Sequence, residues 1–176
     1  LEASLAAMER WQKQGLDIGV SVNIAARQLL APDFPEHVRA ALSRHPAVKP
    51  SHLELEILET TALKDLHSVT AAMEECRRLG VEFSLDDFGT GYSSLTYFRR
   101  LPANVIKIDQ SFVRDMLRDP ADVSIIKGIL GMTEAFSRVA VAEGVEHDDH
   151  GPALLALGLD IAQGYAIARP MPENEF

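Results

Sequence analysis

Cysteine is almost missing from this chain: Cys76 stands alone. An internal disulfide is therefore excluded, and a reducing compartment suits the sequence. Long apolar runs are missing too, and those present are far too short to span a bilayer. No positively charged start followed by an apolar stretch marks a signal peptide. The expected setting is the cytoplasm, with no membrane contact by this domain, although a parent protein can be membrane-anchored. Clusters of Lys and Arg are lacking, and the net charge is −9. That balance argues against broad, nonspecific binding to duplex nucleic acid. It leaves room for a phosphate-bearing substrate, provided that metal cations sit between carboxylates and phosphate. Repeats and low-complexity tracts are absent from the sequence.

What is present suits one globular domain: 176 residues, 47% hydrophobic and 24% charged. Short apolar runs alternate with amphipathic stretches. The strand candidates are "IGVSVN" (18–23), "LELEIL" (53–58), "VEFSLD" (81–86), "NVIKID" (104–109), "RVAVAEG" (138–144) and "LDIAQGY" (159–165). Helices are expected between them. The opening "LEASLAAMERWQKQG" turns Leu1, Leu5, Met8 and Trp11 towards a core. "FPEHVRAALSRH" starts with Pro35, and "SSLTYFRRLP" is a short helix that Pro102 ends. "SVTAAMEECRRLG" aligns Val69, Ala72, Met73, Cys76 and Leu79. "DPADVSIIKGILGMTEAF" has Asp119 as N-cap, Pro120 in the first turn, and a stripe of Ile125, Ile126, Ile129, Leu130, Thr133 and Phe136. This alternation predicts an α/β fold with parallel strands and outer helices. A closed eight-stranded barrel takes roughly 200 residues or more, and this sequence opens on a helix. Either the sheet is open or an upstream piece of a barrel is missing.

The strand candidates carry polar residues at their ends: Asn23; Glu56 with Glu59; Asp86 with Asp87; Lys107 with Asp109; Glu143 with Glu146; and Gln163. In a parallel α/β fold these ends share one face, where active sites form. Converging carboxylates repel one another and raise one another's pKa unless cations intervene. Oxygen donors without clustered Cys or His favour Mg²⁺, Mn²⁺ or Ca²⁺ over zinc. Two such ions can clamp the attacking and leaving oxygens of a phosphodiester. Taken singly, an acid at a strand end commonly caps a helix or faces water. An enolase-like proton abstraction with Lys107 as base stays open on the residues alone. In "EHDDH" (146–150), His147 and His150 read as a solvated helix start; His37, His45, His52 and His67 read as surface, Trp11 and Cys76 as core.

"DDFGTGYSSL", "LPANVIKIDQSFV", "VAEGVE" and "AQGYAIARPMP", with "VSVNIAARQL" and "LELEILET" upstream, resemble the EAL domain family in order and spacing. The resemblance implies a modified TIM (β/α)8-type barrel that hydrolyses cyclic di-GMP to linear diguanylate with Mg²⁺ or Mn²⁺ at a two-metal site. This activity belongs to bacterial second-messenger signalling. Some members are non-catalytic cyclic di-GMP receptors or protein-interaction modules. By resemblance, Asn23, Glu56 and Asp86 ligate one metal; Asp86 bridges to a second, which Asp87 and Glu143 help to hold. Lys107 hydrogen-bonds the attacking water, Glu143 is a ligand or general base, and Gln163 contacts a water. Glu59, Glu146 and Asp109 support loops and the strand-end architecture. Arg27 and Tyr165 are candidate substrate contacts. The implied partners are cyclic di-GMP, a second copy in a homodimer, and sensor or GGDEF-type domains of a parent protein.

Two departures shape the expectation. The Glu-Ala-Leu tripeptide that names the family is not in the chain, since the opening "LEA" places Glu2 at a helix start rather than a strand end. Residues 1–176 are thus expected to form an N-terminally truncated domain, an incomplete barrel that is weakly active or inactive alone. Leu58 stands where the family usually has threonine.

Overall fold

A computed structural model describes residues 1–91 and 95–175, with the side chains of 62–64 and 174 excepted. The end of the "DDFGTGYSSL" loop and the first residues of the short helix expected after it lie outside the described residues. Contacts group the chain into two compact units. One runs from Leu1 to Leu85 and takes in the segment up to Asn104; the other takes Asp86 and the loop after it, then Val105 onward. Among the described residues five strands form one sheet in chain order, fewer than the eight of a closed barrel. No described helix is long and apolar enough to cross a membrane.

In the first unit, α1 (Glu2–Lys13) packs on β1 (Val20–Asn23) and on α3 (Phe34–Arg44), which follows the short α2 (Ala26–Leu29). Strand β2 (Leu53–Leu58) pairs with β1 in parallel, in a register running from Val20↔Leu53 to Asn23↔Glu56. Leu53, Leu55 and Ile57 are buried, and so is Glu56 between them. Burial on both faces is what a parallel strand covered by helices requires. Helix α4 (Glu59–Lys64) packs on β2 and on α5 (Leu66–Arg77), whose Val69, Met73 and Cys76 are fully buried at helical spacing. Each such side chain contributes about 1.5–3 kcal/mol by leaving water. Strand β3 (Glu82–Phe88) starts in this unit, and α6 (Leu95–Arg100) stops just before Pro102.

Trp11 is half-buried rather than core. His45 and His52 are not free surface residues, because acids reach over them. Glu9 lies 3.1 Å from His45 Nδ1, Glu2 lies 3.4 Å from its Nε2, and Asp17 lies 3.3 Å from His52 Nδ1.

The second unit holds β4 (Val105–Ile108) and β5 (Val139–Ala142), parallel and in register from Val105↔Val139 to Ile108↔Ala142. Between them run α7 (Gln110–Asp115) and α8 (Pro120–Ala135). Asp119 caps α8 as its position suggests, its carboxylate accepting from the Ala121 N–H at 2.8 Å. Ile126, Ile129 and Thr133 are buried, whereas Ile125 is 39% exposed and outside the stripe. Helix α9 (His150–Ala156) begins on a buried histidine, not a solvated one. His150 shares its helix face with buried Leu154 four residues on.

The run 159–165 is not a sixth strand. It touches β5 through one bridge, Ala142↔Ala162. Two hydrogen bonds flank it, Ala142 N–H to Ile161 O at 3.0 Å and Gln163 N–H to Ala142 O at 2.8 Å. Past the bridge the chain still bonds to Val145, whose N–H donates to Gln163 O at 3.1 Å and whose carbonyl accepts from Ala166 N–H at 2.9 Å, and it then turns, with Ala168 N–H on Gly164 O at 3.0 Å. A Cβ at Gly164 would stand 2.3 Å from both the nitrogen and the oxygen of Val145.

Candidate metal centre and cavity

The acidic cluster of the second unit is built at the ends of β3, β4 and β5. Carboxylate oxygens of Asp86, Asp87 and Glu143 lie within 4.8 Å of one another. Adjacent side chains on a regular strand point to opposite faces, so the pair Asp86–Asp87 requires a break in the pleat. It is there: Asp87 has φ 54°. A non-glycine residue in that region costs of order 1–3 kcal/mol, a strain found where function requires it. The Thr90 hydroxyl donates to the Asp87 carbonyl at 3.0 Å and ties down the turn.

Lys107 of β4 is the counter-ion. Only 5% exposed, its ammonium lies 3.1 Å from Asp86 Oδ1 and 2.6 Å from Glu143 Oε1. Gln163 Nε2 donates to the same Glu143 oxygen at 2.5 Å. Burial pushes the Glu143 carboxyl up to about 7; Lys107 pulls it down through hydrogen bond and charge, and Asp86 adds to the rise. Asp87 is raised as well, first by burial, then by the charge of Asp86 and by Asp109.

These residues fit a hard divalent cation. Three carboxylates face one ammonium, an excess of two negative charges when all are ionised. Asp86 Oδ1 is buried and makes no hydrogen bond, despite its ion-pair distance from Lys107. A buried carboxylate oxygen left that way has unused lone pairs. All donors are oxygens, which suits Mg²⁺ or Mn²⁺.

Asp109 has a local task beside the cluster. It caps α7, accepting from the Ser111 N–H at 2.8 Å and from the Ser111 hydroxyl. A cavity of about 550 Å³ adjoins Glu143 and Gln163, and Gln110, Glu146, Tyr165 and Arg169 also line it. Tyr165 is 55% exposed, and the Arg169 guanidinium sits 4.7 Å from its ring centroid. Gly144 lets the wall close: its φ is 70°, and a Cβ there would be 2.5 Å from the Gln110 Cβ.

The remaining sequence candidates belong to the first unit. Asn23 ends β1, is exposed, and stands in register with buried Glu56 of β2. The Glu56 carbonyl accepts from the Ile24 N–H at 2.8 Å. Glu59 opens α4, 1% exposed, and its carbonyl accepts from the Tyr97 hydroxyl at 3.0 Å. Arg27 is exposed on α2, and Leu58 is 44% exposed. The structure thus gathers Asp86, Asp87, Lys107, Asp109, Glu143 and Gln163 in one unit and the Asn23–Glu56 pair in the other. Sequence reasoning passes over Gln110 and Arg169. For Arg169 a signal exists, an isolated cation in "AIARPMP" just after the strand-end glutamine; Gln110 carries none.

The chain matches the EAL domain family profile over residues 1–170. It is 38% identical over 176 residues to the bifunctional diguanylate cyclase/cyclic di-GMP phosphodiesterase MucR of Pseudomonas aeruginosa, covering 99% of this chain and 26% of that protein. It is 35% identical over 175 residues to the cyclic di-GMP phosphodiesterase PA2567 of the same species, covering 99% of this chain and 30% of that protein. Among solved structures, the PaMucR phosphodiesterase in complex with c-di-GMP superposes with a TM-score of 0.93 at 38% identity, over 99% of this chain and 70% of that one. The chain therefore spans between a quarter and a third of the length of these curated relatives. With its fold and its motifs matched along nearly the whole length, the chain belongs to the EAL domain family.

Proposed function

We propose that this EAL domain is the catalytic part of a phosphodiesterase that hydrolyses cyclic di-GMP to linear diguanylate with Mg²⁺ or Mn²⁺. The observation that carries the reading is Lys107 held between Asp86 and Glu143, with Asp87 in the same cluster. The names of the relatives, and the cyclic di-GMP held by a neighbour 38% identical, support the choice of substrate.

Asp86, Asp87 and Glu143 would hold the metal, and Asn23 and Glu56 offer further oxygen donors of the same hard class. When bound, the ions supply charge neutralisation at the phosphate and a water of lowered pKa. The chain's own groups then have separate tasks. Lys107 can donate to the attacking water or to a non-bridging phosphate oxygen, while its contacts to Asp86 and Glu143 fix its direction. Glu143 can take the proton of the attacking water, and Gln163 holds the orientation of its carboxylate. Water adds to phosphorus, the P–O3′ bond breaks, and the 3′ oxygen leaves as a hydroxyl once protonated. The phosphate stays on the 5′ side of a linear product.

The chain covers 26% and 30% of these relatives, and one of them is named a bifunctional diguanylate cyclase/phosphodiesterase, which supports a multidomain parent with a GGDEF-type neighbour. The test is direct. The full protein, with Mg²⁺ or Mn²⁺ and cyclic di-GMP, is assayed for linear product. Binding without cleavage would show the enzyme reading wrong and leave a receptor. Asp87→Asn and Glu143→Gln should each abolish turnover, and retained activity in both would sink the role assignment.

A further inference from the structure

We propose that the turn at 147–150 is a second metal site, one that takes zinc, with His147, His150 and Asp149 as its ligands. The site stands apart from the phosphodiesterase reading and involves no cyclic dinucleotide.

The segment "EHDDH" (146–150) holds two imidazoles three residues apart and three carboxylates, with no lysine or arginine among them. The His150 N–H donates to the His147 carbonyl at 3.1 Å, which closes the turn. The two rings meet across it, with centroids 5.4 Å apart and planes at 65°. Two imidazoles on one tetrahedral ion, each nitrogen about 2.0–2.1 Å from the metal, have centroids roughly 5 Å apart. The observed spacing is therefore close to that of a chelating pair.

His150 supplies a second, independent observation. It is 1% exposed, and its Nδ1 is buried without a hydrogen bond. Buried polar atoms are nearly always paired, and one that is not calls for a bound partner. Asp149 supplies a third. It stands at the N-cap of α9, yet its carboxylate makes no cap hydrogen bond, unlike that of Asp119 at α8. It is exposed, so a side-chain rotation can turn an oxygen towards the rings. Glu146 and Asp148 add negative charge to the turn. Arg114 feels the charge of Glu146, but Asp115 engages its guanidinium at 3.1 Å. The donor set decides which cation enters. Imidazole nitrogen with carboxylate oxygen suits Zn²⁺, whereas Mg²⁺ and Ca²⁺ take oxygen alone. Magnesium therefore goes to the cluster of Asp86, Asp87 and Glu143 and leaves this turn open. Zinc bound here would pin the connection between β5 and α9, which carries Glu146 into the cavity wall.

The experiment uses the full protein, free of any histidine tag, in saturating Mg²⁺. Zn²⁺ is titrated in by equilibrium dialysis, and melting temperatures are recorded alongside. The parent should retain one more zinc per chain than His147→Phe, and Zn²⁺ should raise the melting temperature of the parent alone. Phenylalanine keeps a ring against His150 and offers no donor nitrogen. His147 is exposed, so the metal-free melting temperature of the variant should match the parent's. His147→Ala should repeat the loss of zinc, and Asp149→Asn should weaken binding without abolishing it. Equal zinc retention by the parent and both His147 variants would assign the ion to the acidic cluster and overturn the proposal. A parent that retains no zinc in the presence of Mg²⁺ would overturn it as well. Neither result touches the phosphodiesterase reading, which the cleavage assay tests separately.

Discussion

Glu143→Gln in metal-free protein separates the forces acting on the acidic cluster. Burial and Asp86 raise the Glu143 carboxyl to about 7, against the pull of Lys107 at 2.6 Å. A carboxyl raised in the folded state contributes its stability fully below the ordinary value of 4.5 and loses it as pH rises through about 7. The whole displacement corresponds to about 3 kcal/mol at pH 8. Water entering from the cavity screens part of it, leaving roughly 1–3 kcal/mol. Glutamine keeps the shape of the protonated acid and cannot ionise. In EDTA at pH 8, the variant should melt higher than the parent by about 3–10 °C, and near pH 5 the two should nearly coincide. Added Mn²⁺ should raise the parent's melting temperature and leave the variant's almost unmoved. A variant that melts lower than the parent at pH 8 in EDTA would mean that the Lys107 pairing outweighs burial, and the reasoning would fail.

Other outcomes follow from single contacts. Gly164→Ala places a Cβ against Val145 backbone that cannot step aside, so a loss of about 3 kcal/mol is expected in denaturant melts. Asp119→Ala removes the cap of α8 and should cost about 1 kcal/mol by the same measurement. Cys76 is fully buried and its thiol is pushed up to about 12. It should resist a thiol reagent in the native protein and react at once in guanidinium; fast native labelling would contradict its burial.

The sequence carries its signal where local pattern and tertiary role coincide. Strand β2 has the span its apolar run predicts: Leu53, Leu55 and Ile57 fill the core on one face, and Glu56 is buried on the other. The cluster of Asp86, Asp87, Lys107 and Glu143 was legible for a related reason: parallel strands bring their ends to one side, so polar residues there announce a site. The last apolar run misleads, since its pattern is that of a strand while it forms one bridge and then enters the turn that starts at Gly164. Asp109 shows that a strand-end acid can also serve a local purpose, capping a six-residue helix too short to leave a periodic mark. The left-handed turn at Asp87 is a backbone property that no side-chain pattern encodes. Arg169 meets Tyr165 at the i,i+4 spacing of a helical turn, closed by Ala168 N–H to Gly164 O at 3.0 Å, directly after a run that reads as strand.

Lys107 has a consequence for how the domain comes into being. An ammonium tethered to β4 stands among the acids from the moment the strands pair, and it cannot diffuse away. The chain can therefore finish folding in a cell momentarily starved of divalent ions. Loading becomes an exchange of partners at a finished surface, and folding does not have to wait for the metal. A lineage that replaced this lysine with a neutral residue would make its own folding depend on the metal.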